Sequence, residues 1–97
     1  MNSAALQPVI LQIIPELGPG GAEQGCIDVA AGIIESGGKA IVISQGGSRL
    51  RELARTGTAH IEMAVKSKNP LVILKNARKL ASIIRNNRVN IVHARSR

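Results

Sequence analysis

Apolar positions follow one another along this chain in two alternating rhythms. Val9-Ile10-Leu11-Gln12-Ile13-Ile14 is apolar at almost every position, the pattern of a strand covered on both faces in a parallel sheet. From Ala22 onward, Cys26, Ile27, Val29, Ala30, Ile33 and Ile34 recur at a helical spacing, and Gly37-Gly38 follows. Glycine tolerates the left-handed conformation that ends helices, so the helix is expected to stop there. Ala40-Ile41-Val42-Ile43 is short and β-branched and predicts a second buried strand.

The second half repeats the alternation. Gln45-Gly46-Gly47 predicts a turn, and Ser48 is suited to cap a short helix carrying Leu50, Leu53 and Ala54 that ends at Gly57. A third strand is expected from Ala59 to Met63. Asn69-Pro70 pairs an N-cap with a proline at the first helical position, which predicts a helix from Pro70 to Arg88. Ile73, Leu74, Ala77, Leu80, Ala81 and Ile84 form its apolar stripe, Lys75, Arg78, Lys79, Arg85 and Arg88 lie mainly on the other side, and Asn86-Asn87 can close it. Val89 to Ala94 reads as a fourth strand.

Strands alternating with helices predict an α/β fold, a partial Rossmann-like three-layer domain with a parallel sheet. Right-handed crossovers give the strand order 3-2-1-4. Ligands in such sheets bind beyond the carboxyl ends of the strands where the order reverses, here between strands 1 and 4. The loop Gly18-Pro19-Gly20-Gly21 and the stretch His93 to Arg97 both fall at that edge. The sequence shows no internal repeat and no low-complexity segment.

Composition narrows the chemistry. The chain of 97 residues has no Phe, Trp or Tyr, so Leu, Ile and Val must supply the core. A single cysteine, Cys26, excludes an internal disulfide and any zinc site with two thiolates, and it suits a reducing, cytoplasmic setting. No apolar run reaches the length of a membrane span, and no basic segment precedes Val9 to suggest a signal peptide. Thirteen Lys and Arg against six Asp and Glu give a net charge of +7, which favours an anionic partner. Nucleic acid is not expected among these, because the chain lacks aromatic side chains to stack on bases.

A glycine loop opening straight into a helix suits a phosphate, since free N–H groups and the helix dipole attract an anion while glycine allows close approach. The bland alternative is a tight strand-to-helix turn. A dinucleotide fingerprint would need a third glycine where Glu23 stands and an acidic residue after strand 2, where the chain has Ser44-Gln45. No Gly-Lys-Ser/Thr follows the glycines, which excludes a Walker A loop.

Pro-Glu-Leu-Gly-Pro-Gly-Gly-Ala-Glu after strand 1, together with Val-Asn-Ile-Val-His-Ala-Arg-Ser-Arg at the end, resembles glycosyltransferase family 4 from Val9 to Arg97. That resemblance implies a GT-B enzyme of two Rossmann-like domains that retains anomeric configuration. Residues 1–97 would then be the first part of the N-terminal, acceptor-side domain, without the C-terminal donor-binding domain. Gly20 and Gly21 would face the donor diphosphate, and His93, Arg95 and Ser96 would sit on the acceptor side. Many family members carry His-x-His at this strand end, whereas this chain has His93-Ala94-Arg95.

The resemblance also implies a nucleoside-diphosphate sugar as donor substrate, no other cofactor and no metal. It implies a glycan or lipid-linked acceptor in cell-envelope or polysaccharide synthesis, and catalytic residues beyond residue 97. The Pro70 to Arg88 helix could dock on the anionic inner face of a membrane, or simply present a solvated cationic face. Glu23 reads as a structural carboxylate at the positive end of the first helix. His60 reads as structural and Cys26 as a small buried hydrophobe. A non-catalytic anion-binding or interaction module using the same turn is the alternative to an enzyme.

Overall fold

The computed structural model describes residues 7–95. Its elements run β1 (Val9–Ile13), α1 (Gly21–Glu35), β2 (Lys39–Ser44), α2 (Leu50–Arg55), β3 (Ala59–Glu62), α3 (Pro70–Asn86) and β4 (Ile91–Ala94). All three strand pairings are parallel, and the sheet order is β3-β2-β1-β4. This is the α/β architecture and the strand order that the alternation of apolar patterns predicts.

β1 lies inside the sheet, and its two faces feed two cores. Ile14, Leu17, Cys26, Ile27, Ala30, Ala40, Val42 and Leu53 pack together on the side of α1 and α2. Leu11, Ile41, Ile43 and Met63 form the other cluster, against which Leu80, Ile83, Ile84 and Val89 rest. Each Leu or Ile fully removed from water contributes about 1.5–3 kcal/mol, so these residues carry the fold without any aromatic side chain.

The helices bury less than their stripes suggest. Val29, placed on the apolar stripe of α1, is 41% exposed, and Glu23 takes a buried place there instead. In α3 no residue is buried; of the expected stripe, Ile73 and Ala77 line a cleft against the sheet, while Leu74 and Ala81 are exposed. The inward face of α3 is rotated toward Ile83 and Ile84 and carries Asn76, whose side-chain amide donates to the Ala64 carbonyl oxygen at 2.9 Å.

The helix ends follow backbone chemistry. The Asn69 side chain accepts from the Leu71 N–H at 2.9 Å, as its position before Pro70 predicts. α1 stops at Ser36, with the Gly37 N–H donating to Ile34 and the Gly38 N–H to Ile33. Ser48 does not cap α2: Arg49 holds that position and no side chain caps the helix. α3 ends at Asn86 with Asn87 as its C-cap, as the Asn86-Asn87 pair predicts, short of Arg88, which takes the left-handed conformation with φ 54.

Candidate functional site at the carboxyl edge of the sheet

β1 ends at Ile13 and hands the chain to a loop that opens α1 at Gly21. This loop is bound to the one after β2 through the backbone. The Gln45 N–H donates to Pro15 at 3.0 Å, the Leu17 N–H to Gly46 at 2.8 Å, and the Arg49 N–H to Leu17 at 2.9 Å. Ser44, fully buried at the end of β2, accepts from the Gly46 N–H at 3.0 Å and pairs with His60 Nε2 at 2.7 Å. His60 on β3 therefore braces the Gly46 turn, and burial lowers its pKa, with Glu62 opposing that shift.

Gly20 and Gly21, the expected phosphate contacts, are both exposed at the start of α1. They are not equivalent. A β-carbon on Gly21 would meet nothing within 4 Å, whereas one on Gly20 would lie 2.6 Å from Glu23 Oε1. The buried Glu23 side chain folds back over Gly20 and places a carboxylate at the positive end of the helix dipole. The open space at the start of α1 therefore lies at Gly21 rather than over Gly20.

β4 completes the edge. Gln12 of β1 is the register partner of His93, and Ile13 of Ala94. His93 is exposed on the α1 side of the sheet. Arg95 follows, its N–H donating to the Ile13 carbonyl at 2.8 Å and its side-chain Nε to Gln12 Oε1 at 2.7 Å. Ser96 lies outside the described residues.

Other cations at this edge are engaged. Arg49 forms an ion pair with Glu52 at 2.7 Å and also donates to Gln24. Lys66 forms an ion pair with Glu16. The Glu52 carboxyl is held below the usual carboxylate range by its bond from Arg49.

A cleft of about 270 Å³ opens between the sheet and the first half of α3, lined by Ile13, Ile43, Met63, Val65, Ile73 and Leu80 among others. Among the described residues no three His, Cys, Asp or Glu side chains gather as metal ligands would. No helix there is long and apolar enough to cross a membrane.

The topology thus brings Gly20, Gly21, His93 and Arg95 to one edge. Gln12, a member of the same cluster, stands in the sequence only as an interruption in an apolar run. A lone polar residue in such a run was the signal, because a buried amide must find partners.

A solved structure has the same fold. Over 94% of its length the chain superposes on a glycosyltransferase from Rickettsia africae ESF-5 with a TM-score of 0.85 and 47% sequence identity. Over this span the chain is a homologue of a glycosyltransferase. It covers 24% of that glycosyltransferase chain, about a quarter of its length. No protein-family model matches the chain, and no curated protein matches it. Two features of the glycosyltransferase-like segment therefore stand together: a Rossmann-like parallel sheet, and a β1/β4 switch point of the kind at which open α/β sheets bind ligands.

Proposed function

We propose that the chain is the first part of the acceptor-side, N-terminal domain of a GT-B glycosyltransferase of family 4. The parent enzyme moves a sugar from a nucleoside-diphosphate donor to a glycan or lipid-linked acceptor, with retention of configuration, in the synthesis of cell-envelope or surface polysaccharide. The observation that carries this reading is the 47% identity to a glycosyltransferase across 94% of the chain.

In this reading the N–H groups at the start of α1 stabilise charge on the departing diphosphate, with Gly21 giving the closest approach. Gly20 shapes the turn that lets Glu23 fold back. His93, Arg95 and Ser96 form the acceptor side. The catalytic residues and the main donor-binding domain belong to parts of the enzyme outside these 97 residues. The donor is a substrate, and neither metal nor further cofactor takes part.

The reading places the protein in the cytoplasm, in peripheral contact with the inner membrane face. Its support is the surface of α3, where Lys75, Arg78, Lys79 and Arg85 are exposed beside the exposed Leu71, Ile73 and Leu74. Cations next to apolar side chains suit a surface of anionic lipid.

Calorimetric titration with nucleoside diphosphates tests the glycine loop. Weak binding that needs no magnesium and is lost in Gly21→Asp is expected. A chain that releases no heat with any nucleoside diphosphate would remove the loop from the donor site.

A further inference from the structure

Gln12 is 1% exposed in the middle of an otherwise apolar strand. Burying an amide is tolerated only when its groups are bonded, and both of its ends are used. Its Nε2 donates to the Cys26 carbonyl oxygen within α1 at 3.1 Å, which fixes which way the amide points. Its Oε1 then faces the end of β4 and accepts from Arg95 Nε at 2.7 Å.

Among the described residues the guanidinium's one side-chain hydrogen bond is through Nε, and the Nη donors point past it. Nη1 lies 3.3 Å from where a β-carbon on Gly25 would stand, so α1 is cleared of a side chain just where the guanidinium passes. Among the described residues no carboxylate forms an ion pair with Arg95, whereas Arg49 and Lys66 each have one. A role confined to satisfying Gln12 accounts for Nε alone. It does not account for the gap that Gly25 leaves beside the guanidinium.

We propose that Gln12 and Gly25 preset Arg95 to receive an anionic group, a carboxylate or a phosphate, carried by the acceptor. The inference rests on the acceptor-side reading of β4 given above. A guanidinium presents donors in a rigid fork that matches either anion, and it cannot lose its proton at working pH. Fixing the side chain beforehand removes ordering entropy from the binding step. Arg95 is the residue that touches the anion, and Gln12 is a positioning residue.

The test follows the Arg95 side-chain Nε–H resonance in the ¹⁵N-labelled 97-residue protein, titrated separately with methyl phosphate and with acetate. A saturable shift with one of the two is expected, and it identifies a phosphorylated or a carboxylate-bearing acceptor. Gly25→Ala is expected to weaken that binding about tenfold, the range of a lost charge-assisted bond. Alanine favours a helix more than glycine does, so unfolding would not explain the loss. Gln12→Met should weaken it similarly by releasing the Arg95 side chain, with a thermal melt confirming that the variant folds.

An Arg95 signal unmoved by both probes, or moved equally in wild type and Gly25→Ala, would overturn the inference. Shifts at the Gly20 and Gly21 amides alone would overturn it too while leaving the glycine-loop reading intact. Shifts at Arg95 with Gly20 and Gly21 unmoved would support the inference and count against the loop.

Discussion

The carbonyl oxygen of Leu17 lies 2.3 Å from the point where a β-carbon on Gly47 would stand. Gly47 has φ 151, a conformation that other residues rarely adopt, and it allows the loops after β1 and β2 to interlock main chain to main chain. The obstructing atoms are backbone and cannot rotate away. Gly47→Ala is therefore expected to lower stability by about 3 kcal/mol or more. A shifted urea midpoint with an unchanged slope would report this loss, and a wild-type midpoint would show that the two loops do not constrain each other.

Arg88 should be improvable. After α3 its N–H donates to Arg85 and the Val89 N–H to Ile84, the paired bonds of a Schellman ending, with Arg88 itself at φ 54. The same ending after α1 uses Gly37. Arg88→Gly relieves the left-handed strain at some cost in unfolded-chain entropy, for a net gain of roughly 0.5–1 kcal/mol. A higher melting temperature would bear this out, and a lower one would mean that the Arg88 side chain contributes more than its backbone loses.

Cys26 is fully buried and its pKa is raised, first by burial, with nearby Arg95 working in the opposite direction and Glu23 adding to the rise. The thiolate is the reactive form, so Cys26 should resist thiol reagents at neutral pH until the domain opens. Labelling that is slow in buffer and becomes fast across the denaturation transition is the expected result. Fast labelling of the native protein would contradict the packing around α1.

His60 links stability to pH. Its folded pKa lies below the ordinary 6.5, so the unfolded chain takes up the proton first as pH falls. The contribution is complete above about 6.5, the unfolded value, and is lost as pH drops toward the lower folded one. Melting temperatures at pH 7.5 and 5.5 should differ more for wild type than for His60→Asn, which keeps a polar group near Ser44 without titrating. Equal differences would show that the Ser44 contact is indifferent to the proton.

Much of the architecture is legible in the order of residue types. Apolar runs near Val9 and Ala40 could only be doubly covered strands, and the Asn69-Pro70 start of α3 follows from a missing N–H and a side-chain acceptor. What escapes is set by tertiary contacts. Val29 and Leu74 fit a helical stripe but stay largely exposed, and Arg88 takes a conformation that local preference assigns to glycine or asparagine. Ser48 is a good cap by type, yet the bond from the Arg49 N–H to Leu17 fixes the loop and leaves Arg49 at the cap position. At the edge itself, the convergence of the glycine loop with β4 follows from strand order, whereas the chain of bonds through Gln12 depends on register and on side-chain reach.

α3 is held to the sheet unevenly. Its second half rests on the core through Leu80, Ile83 and Ile84, while Leu71, Ile73 and Leu74 stand in solvent above the cleft. Lifting the second half would uncover Leu11, Ile41, Ile43 and Met63, whereas lifting the first half exposes little new apolar surface and takes much less free energy than unfolding the β1–α1–β2 unit. The amides of residues 74–78 should therefore exchange their hydrogens through frequent partial openings, and those of β1 and β2 only when the whole domain comes apart. The chain carries two clocks of exposure, and the faster belongs to the first half of the helix with the largest net positive charge.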